Sequence, residues 1–268
     1  MLNASTQIVT ALGRVLIVDP SASSARLLGD LLRNISPGQV WNAPTTVRGL
    51  FIAESADPQL VFVEYLGEGL DGLAFTRKLR RSELACRKAP VIMVTAQATP
   101  AAIIGARDAG VHEFLRKPFT NKDLLLRLDA VTRRPRGWVE AVGYIGPDRR
   151  RFNSAEFTGA RRRQMDAAAE ATPERARIYQ ALKIVAAAVP ALESDPFQAR
   201  RALDAQAAEL VRAGRTIGDT GLQAAASALQ LYLAEAAAGA AITPAGLKPI
   251  ADRLLTFLPK DQAGKAAA

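Results

Sequence analysis

Cysteine and histidine are almost missing from this chain: Cys86 and His112 are the sole representatives in 268 residues. A lone cysteine excludes an intramolecular disulfide framework and fits a reducing compartment. A lone histidine all but excludes Cys/His zinc sites and histidine-based triads. No apolar run approaches the ~20 residues that a membrane-crossing helix needs. The N-terminus lacks a basic segment followed by an apolar core, so no secretory signal is expected. No nucleophile–base pair is visible. These absences predict a cytoplasmic protein that is not an enzyme.

What the chain has in excess is arginine, and it is concentrated. The formal net charge is +9. Residues 133–163 carry nine arginines against three acids, a local excess of six. The charge therefore belongs to a connecting segment and says little about its flanks.

Before that segment, short branched apolar runs alternate with amphipathic stretches. Arg14–Val18, Gln39–Ala43, Leu60–Glu64, Pro90–Val94 and Glu113–Arg116 read as strands. Stretches from about 25, 45, 71, 100 and 121 read as helices. Five strand–helix units with short connections predict a doubly wound, five-stranded parallel sheet covered on both faces. After Pro173 the chain is alanine-rich, with apolar residues three and four apart over about 173–189, 196–213, 219–238 and 244–258, as in a small all-α bundle. The expected organisation is a leader (1–12), an α/β domain (13–133), an Arg-rich flexible linker (134–170), a helical bundle (171–260) and a tail (261–268). His112 and Cys86 read as ordinary surface or turn residues. Trp41 reads as a core anchor and Trp138 as a linker anchor.

Polar residues collect where the strands end, which is where open parallel sheets place function. Val-Leu-Ile-Val-Asp19 ends the first strand. Glu64 ends the third, with Asp71-Gly72 seven residues on. Val-Ile-Met-Val-Thr95 ends the fourth, and Phe-Leu-Arg-Lys117-Pro118-Phe119 the fifth. Together these residues make positions 14–132 resemble the receiver domain of bacterial two-component response regulators, which has a flavodoxin-like fold. In that family two adjacent acids after the first strand and an aspartate after the third bind Mg²⁺, and that aspartate accepts a phosphoryl group. A threonine or serine and a lysine contact the phosphoryl. The resemblance assigns these roles to Asp19, Thr95 and Lys117, a switch aromatic to Phe114, and a cis peptide bond to Pro118.

Two positions depart from the pattern. Pro20 replaces the second acid, and Glu64 replaces the phosphoacceptor aspartate. Asp19 and Glu64 remain as metal ligands, so Mg²⁺ binding is expected to be weak or absent and no other cofactor is implied. Glutamate is also ~1.5 Å longer, one extra bond, which moves its carboxylate off the in-line position and toward Thr95 and Lys117. The resemblance thus implies a pseudo-receiver acting through protein–protein contact. Glu64 either imitates the phosphorylated state, through a salt bridge to Lys117 and a hydrogen bond to Thr95, or is a relic. The expected partner is a histidine kinase, a phosphotransfer protein or another regulator. A phosphorylatable regulator is the alternative.

The helical half faintly resembles a histidine phosphotransfer bundle, with Ala208 at the histidine position and Val211 at the lysine. No histidine lies in this half, so the resemblance implies docking without phosphotransfer. A further alternative is a nucleotide or nucleic-acid effector. Arg149, Arg150, Arg151, Arg161, Arg162 and Arg163 would bind phosphates, of nucleic acid or a cyclic dinucleotide, because guanidinium groups contact phosphate bidentately.

Overall fold

The computed structural model describes residues 13–134, 136–149, 173–237 and 242–258. They fall into two compact units. One holds the residues up to Val139 together with Tyr144 onward to residue 149; the other holds Glu140–Gly143 and the C-terminal helices.

The first unit has five parallel strands: β1 (Arg14–Val18), β2 (Gln39–Ala43), β3 (Leu60–Glu64), β4 (Val91–Thr95) and β5 (Glu113–Arg116), in the order β2-β1-β3-β4-β5. Helices α1 (Ala22–Ile35), α2 (Thr46–Ala56), α3 (Gly72–Arg81), α4 (Pro100–Ala109) and α5 (Asn121–Arg133) alternate with them. Because both faces are covered, the strands carry apolar residues at every step rather than every second one. Val15, Ile17, Leu60, Phe62, Ile92 and Val94 pack beneath α1 and α5 with Leu28, Leu32, Leu124 and Leu128. Leu16, Val18, Val61, Val63, Val91 and Met93 pack on the other face with Ile52, Phe75, Leu79 and Ala106 of α2 to α4. Hydroxyl and carboxylate caps start the helices: Ser21 for α1, Thr45 for α2, Asp71 for α3, Thr99 for α4, and a Thr120–Asp123 capping box for α5. Each such cap is worth about 1 kcal/mol.

In the second unit α6 (Pro173–Ala191), α7 (Pro196–Ile217), α8 (Thr220–Ala237) and α9 (Pro244–Leu255) enclose a leucine–alanine core that includes Leu182, Leu203, Leu210, Leu229 and Leu247. Glu140 is buried in this unit. Gln198 Nε2 donates to its carboxylate at 3.1 Å, and Gln206 Nε2 donates to its carbonyl at 3.0 Å.

The connector departs from expectation. Within the range expected to be flexible, β6 (Trp138–Glu140) pairs with β7 (Ile145–Pro147), and Tyr144 through Pro147 are buried. Gly146 lies so close to Gly110 that a Cβ on it would stand 2.7 Å from Gly110 Cα. Both glycines have positive φ (159° and 90°), which glycine adopts without penalty. Trp138 is flanked by Arg80, Arg87 and Lys88, 5.3, 5.7 and 5.8 Å from its ring centre. The sequence hides this docking because the strands are too short to show a period and their partners are remote in the chain.

His112 is likewise not a surface residue; it is buried. Its Nδ1 accepts the Val91 N–H at 3.2 Å and lies 3.2 Å from Arg80 Nη2. Its carbonyl accepts from Arg136. Cys86 is also buried, in the 3-10 turn Ala85–Lys88, and burial pushes its thiol up to about 11. Arg80 is fully enclosed without a carboxylate partner in its hydrogen bonds. It donates instead to the carbonyls of Gly110, Arg87 and Ala89, and burial lowers its pKa to about 9.

Burial, then Arg80 and Arg136, hold His112 well below its ordinary 6.5. The folded protein therefore keeps His112 neutral where the unfolded chain takes a proton. Its stabilising contribution is complete above pH 6.5 and is lost as pH falls below it. We expect receiver-unit stability, followed by the fluorescence of Trp41 and Trp138, to fall with acid by up to about 1.4 kcal/mol per pH unit from this group. His112→Gln, which keeps an acceptor but does not titrate, should flatten that slope. Parallel slopes for the two proteins would contradict this account.

Candidate functional site

The sheet register brings four strand ends to one edge. Val18 pairs with Ala43 and with Val63, Glu64 with Val94, and Thr95 with Arg116. Asp19, Glu64, Thr95 and Lys117 therefore exit β1, β3, β4 and β5 side by side.

Lys117 is the centre of the group. Its Nζ donates to Glu64 Oε2 at 2.7 Å and to Asp19 Oδ2 at 3.0 Å, and lies 3.4 Å from Ser24 Oγ. The remaining carboxylate oxygens are also engaged. Tyr65 N–H donates to Glu64 Oε1 at 2.7 Å, and Ser21 N–H donates to Asp19 Oδ1 at 2.8 Å. Side-chain exposure is 8% for Asp19, 12% for Glu64 and 24% for Lys117. Burial alone would lower the Lys117 pKa. Hydrogen bonds and charge from Glu64 and Asp19 outweigh burial and hold it above the usual 10.5, so the ammonium stays charged. The backbone fixes its origin: Lys117 N–H donates to Thr95 O at 2.8 Å, and the Lys117–Pro118 peptide is cis.

Thr95 and Phe114 complete the expected set, with one difference. Thr95 is buried, but its Oγ1 accepts from the Gln97 N–H at 3.1 Å, and among the described residues no hydrogen bond joins it to Glu64. The longer carboxylate turns to the lysine, where an ionised donor gives the stronger bond. Phe114 is buried against Met93, Ala106 and Val111. Ser21 and Ser24 were not anticipated as members of the site. Asp19-Pro20-Ser21 carried a signal for Ser21, since aspartate commonly accepts the N–H two residues ahead.

Of the arginine group, Arg149 lies within the described residues. Arg149 stacks on Tyr144 at 3.9 Å and pairs with Asp108 at 2.9 Å. Arg150, Arg151, Arg161, Arg162 and Arg163 lie outside the described residues. Ala208, at the position the bundle resemblance gives to histidine, is exposed on α7.

Comparison with known proteins agrees with this geometry. The family model for the response regulator receiver domain matches residues 15–129. Chemotaxis protein CheY-3 of Vibrio cholerae is 30% identical over 121 residues, covering 45% of this chain and 92% of that protein. The chain belongs to the response regulator receiver family. The KDP operon transcriptional regulatory protein KdpE of Escherichia coli is 35% identical over 121 residues, covering 45% of this chain and 51% of that protein. A putative response regulator structure from Chloroflexus aurantiacus shares 28% identity over 45% of this chain and 97% of that one, with a TM-score of 0.42. The receiver places this protein in two-component signalling. No described helix is long and apolar enough to cross a membrane.

Removing one member of a buried ion pair leaves a charge without a partner and costs about 3–5 kcal/mol. Two carboxylates here share one partly exposed ammonium. Lys117→Met should therefore destabilise the receiver by about 3 kcal/mol at neutral pH. Adding Glu64→Gln, which removes one of the two charges left without a partner, should recover part of the loss. A loss of equal size in both variants would assign it to packing rather than charge.

Proposed function

We propose that this receiver is a non-catalytic signalling module in which Glu64 stands in for a phosphorylated aspartate. The observation that carries this reading is the 2.7 Å contact between Glu64 Oε2 and Lys117 Nζ. The family resemblance expects the lysine to hold a phosphoryl oxygen; here a permanent carboxylate reaches it. A charge-assisted bond of this kind is about twice as strong as a neutral one. Bound signalling proteins (a histidine kinase, a phosphotransfer protein or another regulator) would read that fixed state. A protein working this way in the cytoplasm needs no phosphoryl donor.

The donor set does not suit Mg²⁺. The metal requires near-octahedral oxygen coordination and retains several waters. Among the described residues two carboxylates meet at Lys117, and all four of their oxygens are engaged by Lys117, Tyr65 and Ser21. We therefore assign no step to a metal. The effector reading has less support: Arg149 is committed to Asp108 and Tyr144, and the remaining arginines lie outside the described residues. Thr95, free of Glu64, favours the phosphorylatable alternative, and the same experiments distinguish it.

Beryllofluoride with Mg²⁺ is expected to leave the amide NMR signals of Thr95, Phe114 and Lys117 in place; saturable shifts would favour the phosphorylatable reading. Partners captured on the full chain should bind Glu64→Gln roughly tenfold more weakly, the scale of one hydrogen bond to a charged group. Unchanged affinity would make the carboxylate a relic.

A further inference from the structure

Pro20 does more than omit an acid. Its ring lies against the backbone of Gly67, where an added Cβ would fall 2.3 Å from Pro20 Cγ and 3.2 Å from Cδ. No side chain larger than hydrogen fits there unless the proline or the loop moves. The two residues follow the two acids closely in sequence, Pro20 directly after Asp19 and Gly67 three residues after Glu64. Their contact therefore spans the edge between the ends of β1 and β3. The loop carrying Gly67 is held elsewhere as well. Leu66–Gly67 pairs antiparallel with Leu70–Asp71, Leu70 is buried in the core, and Thr46 N–H donates to Gly69 O at 3.2 Å.

We infer that Pro20 and Gly67 are a fitted pair that closes the edge between β1 and β3 over Asp19 and Glu64, barring a hydrated cation and a phosphoryl donor from both acids. The inference rests on reading Glu64 as a standing substitute for the phosphorylated residue and adds a steric cause to the chemical one. The pair explains why glycine occupies position 67, which has no positive φ to require it.

Two measurements on the full chain test this. The first is a double-mutant cycle on unfolding, read by tryptophan fluorescence, since both tryptophans lie in the receiver unit. Gly67→Ala should lower the midpoint by several degrees, and adding Pro20→Ala should recover most of that loss. Additive losses would overturn the fitted pair. The second uses acetyl phosphate with Mg²⁺ and intact mass spectrometry. Glu64→Asp alone should stay unmodified. Glu64→Asp with Pro20→Asp, which removes the ring and supplies the missing acid, should gain one phosphoryl group, the carboxylate at position 64 taking the phosphoryl as acetate leaves. Equal modification of both variants, or of neither, would overturn the closure. Modification of the unaltered chain, or full partner affinity in Glu64→Gln, would remove the mimic reading instead and leave the unfolding cycle unaffected.

Discussion

One ammonium held between two carboxylates fixes the edge of this sheet. A parallel sheet delivers its strand ends to a single rim, and in this receiver four of those ends carry polar groups. Placed together in a low-dielectric setting, Asp19 and Glu64 would repel each other. The charged Lys117 makes their proximity tolerable. Everything else at the rim arranges itself around that neutralisation: Ser21 and Tyr65 supply backbone N–H groups to the outer oxygens, and Thr95 turns to Gln97.

The opposite edge solves a different problem. Arg80 is buried with no acid in its hydrogen-bond shell, and neutral carbonyls from Gly110, Arg87 and Ala89 solvate it. His112 completes that shell only while it is unprotonated, because a second cation beside Arg80 would face both repulsion and desolvation. The rim is therefore built on opposite charges in contact. The far end is built on one charge spread over dipoles, with Trp138 stacked against it.

The sheet was legible because burial on both faces forces continuous apolar runs, and the site because its residues end those runs. Asp19, Glu64 and Lys117 were placed together from sequence position alone, and they meet. The orientation of Thr95 was not legible: whether a hydroxyl serves a carboxylate or the next turn's N–H depends on distances of about an ångström. Arg80 was missed and His112 was read as an ordinary residue because the burial of a polar side chain is set by remote neighbours. The segment after α5 was misread for a related reason. Glycine, proline and arginine suggested an unstructured tether, yet Gly146 is required for close approach to Gly110 and Pro147 is buried.

That docked segment bears on how this receiver relates to modular rearrangement of signalling genes. Receivers are readily pictured as cassettes that end with their last helix, so that a fusion point just beyond α5 would exchange one output for another. Here such a junction at residue 133 would strip away Trp138, Tyr144 and Ile145 and leave Arg80 and Gly110 facing solvent. The transferable cassette has to include Tyr144–Pro147. Within it, Glu140–Gly143 pack with the helices instead. The two units are thus interleaved along the chain, so no single cut separates all of one from all of the other.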